Sequence, residues 1–304
     1  MKAFLKKLWR KFLCRRYPVL KLDYNSFITL YCPGHYYSPI PDIDYIEKNQ
    51  DRLFDSSVKE CPGINMCVES QVKLIDNFKH YVADYKLAEN KVTTSRYFYN
   101  NTWFRYGDAI VLYCMLRHYM PEKIIEVGSG FSSALMLDVN DALFNGDIQF
   151  TFIEPYPERL ISLMRPHDSA TAKILVQNVQ NVPLEIFKSL KCGDILFIDS
   201  SHVTKIGSDV NHIIFEVLPI LAEGVIIHFH DIFWPFEYPH EWLKEGKAWN
   251  EAYLLRASLQ YNNAFKILFF NSFIGKFYGD EMNTAFPLFS DNSGGSLWLQ
   301  KAIK

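Results

Sequence analysis

The chain has 304 residues, of which 49% are hydrophobic and 22% charged, enough to bury a large core in one domain or in one domain with an extension. Its net charge of −2 argues against a nucleic-acid partner, because binding nucleic acid requires a basic face that displaces counterions. No stretch approaches the roughly 18 consecutive apolar residues of a spanning helix. The composition therefore predicts a globular protein that does not cross a bilayer.

The first 20 residues form a basic amphipathic segment. Apolar residues such as Phe4, Leu8 and Phe12 recur at helical spacing, and the residues between them are mostly Lys and Arg. This pattern is typical of a helix that lies on an anionic membrane surface. Residues 1–16 are therefore a candidate for peripheral contact with the inner membrane surface. A helix packed on the protein's own body, or a basic tail, is the alternative interpretation.

Residues 21–105 are predicted to form an extension that is irregular at first and then helical. Tyr, Pro and Asp are frequent up to about residue 65, and no helical or strand period persists there. A helical pattern follows over residues 68–87. The six cysteines of the chain contain no C-x-x-C pair, so we interpret them as reduced thiols of a cytoplasmic protein.

A helix over residues 106–119 opens the third region, residues 106–304, in which short apolar runs alternate with helical segments. This alternation predicts an α/β fold with a mostly parallel sheet and helices on both faces. The runs cover residues 123–127, 149–153, 173–176, 194–198, 224–228, 265–270 and 296–300.

The first run ends in an acid and two glycines, E-V-G-S-G at residues 126–130. Glycines at a strand end allow a ligand to approach the backbone, and the start of the next helix offers free N–H groups. A dinucleotide would bring phosphate charge close to Glu126, which is repulsive, whereas the ammonium and sulfonium of S-adenosylmethionine would be attracted. The candidate cofactor ligands of this stretch are Glu126, Gly128, Ser129, Gly130 and Ser132.

Glu154 closes the second run, 24 residues after Gly130. An acid at about this spacing reaches the ribose hydroxyls of a nucleoside cofactor. Since dinucleotides and S-adenosylmethionine both contain ribose, Glu154 does not discriminate between them.

The fourth and fifth runs deliver Asp199, His202, His230 and Asp231 to the same edge of the predicted sheet. Imidazole titrates near neutrality and carboxylates bind hard cations, so this group can act as a base or as a metal site. His228 lies inside an apolar strand and is predicted to be a hydrogen-bonded core residue. The aromatic segment of residues 233–239 is either a wall for the acceptor or a packed crossover.

Four motifs make residues 106–301 resemble the class I, Rossmann-like S-adenosylmethionine-dependent methyltransferases. They are E-V-G-S-G (126–130), F-I-E-P (152–155), D-I-L-F-I-D-S-S-H (194–202) and I-I-H-F-H-D-I-F-W-P (226–235). The resemblance implies a seven-stranded sheet of order 3-2-1-4-5-7-6 with the last strand antiparallel. It also implies that residues 126–130 hold the methionine side of the cofactor, that Glu154 holds the ribose, and that Asp199 belongs to the cofactor site.

The ends of the fourth and fifth runs are similar to those of the catechol-type, metal-dependent O-methyltransferases. That similarity implies that Asp199, His230 and Asp231 hold a divalent metal such as Mg²⁺, although a histidine replaces an oxygen ligand that magnesium prefers. A metal-free site would use His202 or His230 as general base. The proposed acceptor is a hydroxyl of a small molecule or glycan.

Two other interpretations stay open at this point. His202, His230 and Asp231 are also a suitable ligand set for a metal-dependent oxygenase or hydrolase. A non-catalytic module on a membrane surface could keep the same fold.

Overall fold

The computed structural model of the chain describes residue 31 and residues 33–55, 57–84 and 86–303. The chain divides into two compact units after Asp55, and residues 57–105 belong to the same unit as the sheet. In the described part, no helix has the length and apolarity required to cross a membrane. The basic segment of residues 1–16 lies outside the described residues, and its contact with a membrane stays a prediction.

The first unit contains two short helices, α1 (Ile43–Lys48) and α2 (Gln50–Leu53). Asp42 begins α1, because its side chain accepts a hydrogen bond from the Tyr45 N–H at 3.2 Å. The cluster of four aromatic rings that precedes α1 consists of Tyr31, His35, Tyr36 and Tyr37.

The second unit is built on a seven-stranded sheet of order β3-β2-β1-β4-β5-β7-β6. All neighbouring strands from β3 to β5 pair in parallel, and β7 is antiparallel to both β5 and β6. The predicted α/β fold and strand order are confirmed. The strands are β1 (Lys123–Val127), β2 (Gln149–Ile153), β3 (Ala172–Leu175), β4 (Ile195–Ile198), β5 (Ile226–Phe229), β6 (Phe265–Phe270) and β7 (Leu297–Lys301).

Helices connect these strands and cover both faces of the sheet. A π-helical turn at Ile213–Val217 lies between the short helices Asp209–His212 and Leu218–Ile220. Four 3₁₀ turns lie at Val82–Asp84, Pro166–Ala170, Val179–Asn181 and Pro287–Ser290. The helices of this unit are α3 (Val68–Lys79), α4 (Tyr106–Tyr119), α5 (Phe131–Leu143), α6 (Glu158–Leu163), α7 (Leu184–Lys188), α8 (Asp209–His212), α9 (Leu218–Ile220), α10 (His240–Lys244), α11 (Glu251–Leu259), α12 (Asn271–Phe277) and α13 (Gly279–Asn283).

The helix predicted over residues 68–87 is shorter than its pattern indicated and ends at Lys79. Helices α10 and α11 are separate, and between them Gly246 adopts a left-handed φ of +87°. The Lys247 N–H then returns to the Trp242 carbonyl at 3.0 Å, a bond that closes the end of α10.

Burial of the sheet and of α4 explains their nearly continuous apolar sequences. All four residues of β4 and all four of β5 are buried, as expected for strands covered on both faces. Helix α4 is buried over residues 107–116, and Asp108 is the only charged residue in that buried stretch. A buried acid in such a helix requires polar partners, and its partners lie at the candidate site described below.

Ion pairs of Arg96 connect the segment before α4 to α5 and to the 3₁₀ turn at Pro166–Ala170. Its side chain is only 1% exposed and pairs with Asp138 at 2.8 Å, Asp141 at 2.9 Å and Asp168. The backbone N–H groups of Arg96 and Tyr97 also donate to the Asp138 carboxylate at 2.7 and 2.8 Å. One buried cation thereby connects three acids from α5 and the following 3₁₀ turn.

Replacing Arg96 with Met should destabilise the protein by about 3–5 kcal/mol, because the Asp168 side chain, 1% exposed, would lose its countercharge. Lys79→Met is the matched control, since Lys79 pairs with Asp76 on the surface, and it should cost less than about 1 kcal/mol. Urea denaturation of both variants measures the difference. Equal effects of the two substitutions would contradict the role of Arg96.

Candidate functional site

The ends of β1, β4 and β5 lie side by side at the carboxyl edge of the sheet. Parallel pairing continues one residue beyond each strand, with Asp199 N–H donating to the Val127 carbonyl at 2.8 Å and His230 N–H donating to the Ile198 carbonyl at 2.9 Å. In open α/β sheets this edge is where ligands bind. The candidate residues that the sequence placed after these strands are therefore brought together.

The glycine loop of residues 128–130 touches the end of β4. Gly128 has a φ of +79°, and a Cβ on it would lie 2.0 Å from the Asp199 carbonyl oxygen, a distance that no side chain tolerates. Gly130 has an extended φ of 173°, and a Cβ on it would meet only the Arg159 side chain, at 3.2 Å. Glycine is thus required at position 128 for backbone reasons, whereas position 130 has no such requirement.

Glu126 is fully buried beneath the start of α5. Ser132 Oγ donates to Glu126 Oε1 at 2.5 Å, and Ser133 Oγ donates to Oε2 while accepting the Gly130 N–H at 2.9 Å. Burial raises the pKa of Glu126 to about 8, against the opposing effect of the two hydroxyls. The carboxyl group thereby fixes the start of the helix. The attraction of a cationic cofactor to Glu126 stays a prediction.

Glu154 joins the loops that follow β1 and β2. Its Oε2 accepts the Ser129 N–H at 3.0 Å and its Oε1 accepts the Tyr156 N–H at 2.9 Å. A carboxylate has about four acceptor positions, so each oxygen keeps capacity for a further donor such as a hydroxyl. The position predicted for a ribose ligand thus lies directly beside the glycine loop.

Asp199, His202, His230 and Asp231 form one cluster at the ends of β4 and β5. His202 Nε2 lies 3.3 Å from Asp199 Oδ1 and 3.6 Å from Asp231 Oδ2. His230 Nδ1 lies 3.6 Å from Asp199 Oδ1 and 3.6 Å from Asp231 Oδ1. Both imidazoles therefore face the same two carboxylates.

His202 and His230 each lie near a further acid, which was not predicted from the sequence. His202 Nδ1 lies 2.9 Å from Glu251 Oε2, and Ser200 Oγ donates to both oxygens of Glu251 at 3.0 Å. His230 Nε2 lies 3.6 Å from Asp108 Oδ2. Asp108 was recognisable as the one acid in a buried apolar helix. Glu251 gave no signal, because acids are common in the first turn of any helix.

The acids keep both histidines protonated near neutral pH. Burial lowers the pKa of His202, but hydrogen bonds with Asp199 and Glu251 outweigh this effect and raise it to about 10. The pKa of His230 is likewise raised well above its usual value by Asp231 and Asp199, despite burial. Both protonated imidazoles thus form ion pairs with the carboxylates of Asp199 and Asp231, at 3.3–3.6 Å.

His228 is a core residue, as predicted. It is fully buried, its Nε2 lies 2.8 Å from Ser296 Oγ, and its ring stacks on Phe197 with 3.7 Å between centroids. Ser296 Oγ in turn donates to Asp108 Oδ1 at 2.6 Å. Burial lowers the pKa of His228 well below its usual value, so this imidazole stays neutral.

The aromatic segment of residues 233–239 is packed rather than open. Trp234, Phe236 and Tyr238 are buried, and Trp234 Nε1 donates to the Val58 carbonyl at 3.1 Å. Of the two interpretations given above, the structure favours the packed crossover. Two other aromatic residues contact the cluster: Trp249 packs on the His202 ring at 4.3 Å between centroids, and Phe104 lies 5.4 Å from the His230 ring centroid.

Asp199, His230 and Asp231 fit a divalent cation. One ligand atom from each lies within 4.8 Å of the others, and neither ring nitrogen of His230 has a hydrogen-bond partner in the described part of the chain. Asp108 behind His230 resembles the carboxylate that often orients a metal-bound imidazole. Two carboxylates and one imidazole suit manganese, iron or zinc better than magnesium, which prefers oxygen alone.

Residues 125–232 match the sequence profile of a family described as a methyltransferase domain. A protein of Archaeoglobus fulgidus, described only as uncharacterized, is 34% identical over 169 residues, which cover 53% of this chain and 74% of that protein.

Solved structures similar to this chain include two that are described as methyltransferases and one of CmcI. The S-adenosylhomocysteine-bound methyltransferase PaMTH1 of Podospora anserina is 15% identical with a TM-score of 0.40, covering 84% of this chain and 97% of its own. The O-methyltransferase TomG of Streptomyces achromogenes is 12% identical with a TM-score of 0.41, covering 84% and 96%. A CmcI structure with Mg and S-adenosylmethionine is 15% identical with a TM-score of 0.41, covering 74% and 84%.

The two glycines of the loop should differ in their tolerance of alanine. Gly128→Ala should destabilise the protein by more than about 2 kcal/mol, because it combines a left-handed φ with a clash against the Asp199 backbone. Gly130→Ala should change stability by less than about 1 kcal/mol, since only a side chain must move. Thermal denaturation measures the stability of the two variants. A Gly128→Ala protein as stable as the unaltered protein would contradict the described loop.

Proposed function

Because the chain carries a methyltransferase domain on a Rossmann-like sheet, we propose that it transfers the methyl group of S-adenosylmethionine to a hydroxyl oxygen of a small molecule or glycan. The observation that carries this proposal is the contact between the glycine loop and the acid–histidine cluster at Gly128 and Asp199. A methyl donor on the loop would be adjacent to groups that bind and deprotonate a hydroxyl.

Cofactor binding is assigned to the loops after β1 and β2. Gly128, Ser129 and Gly130 offer backbone to the methionine portion, and Glu154 accepts hydrogen bonds from the ribose. Asp199 lies at the meeting point of the loop and the cluster. Glu126 and Ser132 support the site indirectly, since they bond to each other and hold the start of α5.

The acceptor is assigned to the side of the cluster where Asp199, His230 and Asp231 converge. We propose that these residues hold a divalent cation, which when bound would polarise the acceptor hydroxyl. As the oxygen attacks, the bond from sulfur to the methyl carbon breaks, its electrons return to sulfur, and the hydroxyl proton leaves. A cation bound by Asp199 and Asp231 would withdraw their stabilisation of protonated His202. The neutral imidazole would then be placed to take that proton through Nε2, because Nδ1 is engaged with Glu251.

The first test of this function is cofactor binding. The protein should bind S-adenosylhomocysteine in isothermal titration calorimetry, and Glu154→Gln should weaken binding by about tenfold, since a charged acceptor for the ribose hydroxyls is lost. Glu158→Gln, an exposed acid four residues further along, is the matched control and should leave the affinity unchanged. The absence of binding by the unaltered protein would contradict the proposal.

The second test is metal binding. The protein should bind Mn²⁺ more tightly than Mg²⁺, and Asp231→Asn should weaken Mn²⁺ binding by tenfold or more, roughly the cost of losing one ligand-shell group. Asp141→Asn, in a second acid–histidine group that already pairs with Arg96, should have no effect. Electron paramagnetic resonance of free Mn²⁺ measures both. An unchanged Mn²⁺ affinity in the Asp231 variant would exclude this ligand set.

A further inference from the structure

Arg159 spans the space between the glycine loop and Trp103. Its Cδ lies 3.2 Å, and its Nη1 3.7 Å, from the position that a Cβ on Gly130 would take. The guanidinium carbon lies 4.2 Å from the centre of the Trp103 ring, which is 60% exposed. A cation–π contact of this kind holds a flexible side chain in one place at modest energetic gain. Arg159 is therefore a fixed cation beside the loop.

This cation has no anionic partner in the described part of the chain, where no carboxylate oxygen lies within 4.0 Å of its guanidinium. The two acids of the neighbouring loops serve other groups, since Glu154 accepts two backbone N–H groups and Glu126 bonds to serines. Ser129 Oγ in the same loop is buried and has no hydrogen-bond partner. The guanidinium of Arg159 and the hydroxyl of Ser129 are therefore two hydrogen-bond donors at the loop that have no acceptor in the described part of the chain.

The chemistry of the cofactor supplies an acceptor. S-adenosylmethionine carries a positive sulfonium, a positive ammonium and one anionic group, the carboxylate of its methionine portion. An unpaired guanidinium would repel the sulfonium unless it is neutralised by that carboxylate. A planar guanidinium also matches a carboxylate with two parallel hydrogen bonds.

We propose that Arg159, seated on Trp103 above Gly130, binds the carboxylate of the cofactor's methionine portion, with the Ser129 hydroxyl as a second donor. This inference rests on the proposed function, and it adds the recognition of the amino-acid end of the cofactor. Trp103 acts as a positioning residue, because it fixes the guanidinium without touching the carboxylate.

The test compares two ligands that differ only in the carboxylate, S-adenosylhomocysteine and its decarboxylated analogue. Arg159→Gln should weaken S-adenosylhomocysteine binding by about tenfold and leave the affinity for the decarboxylated analogue unchanged, because only the first ligand has a group for Arg159 to pair with. Arg159→Lys should retain part of the preference, since it keeps the charge without the planar geometry. Isothermal titration calorimetry measures both ligands on each variant.

Arg165→Gln is the matched control, because Arg165 is engaged with the Thr94 carbonyl and lies near Asp141 rather than at the loop. It should change neither affinity. Equal losses for the two ligands in Arg159→Gln, or no loss for either, would overturn the assignment of Arg159 while leaving the proposed function intact. If the unaltered protein binds neither ligand, the proposed function and this inference fail together.

Discussion

The site depends on the close approach of two backbones at the carboxyl edge of the sheet. The end of β1 passes so near the Asp199 carbonyl that only glycine fits at position 128. Parallel pairing of β1 with β4, and of β4 with β5, then fixes where the glycine loop, Asp199 and His230 emerge. The glycine loop and the acid–histidine cluster of this methyltransferase are consequently parts of one rigid edge, whose spacing the hydrogen-bonded ladder determines.

Two layers of charge are built on that edge. Asp199 and Asp231 form the inner layer, with His202 and His230 facing them from opposite sides. Glu251 and Asp108 form the outer layer, and each is 6% exposed or less. Buried acids of this kind restrict the orientation of the imidazole rings and raise their pKa values, since the protonated form is stabilised. The polar network therefore both orders the cluster and sets its charge.

The sequence allowed the fold and the inner layer to be predicted, because both follow from local patterns. Apolar runs mark buried strands, and the residues that end them must meet at one edge. In the outer layer, Asp108 is recognisable as the one acid of a buried apolar helix, but Glu251 is not, because it contacts a residue 49 positions earlier in the chain. The approach of Arg159 to Gly130 from another helix was equally hidden. The hydrogen bonds of Glu126 with Ser132 and Ser133 were likewise not evident from the motif alone, because they depend on how the start of α5 folds over the carboxyl group.

The most direct test of the assigned cofactor site is a crystal structure of the protein with S-adenosylhomocysteine bound. The methionine portion should lie across residues 128–130, and the ribose hydroxyls should contact Glu154. The sulfur should face the side of the loop where Asp199 and Asp231 lie. A ligand bound at another edge of the sheet, or one whose ribose lies away from Glu154, would contradict it.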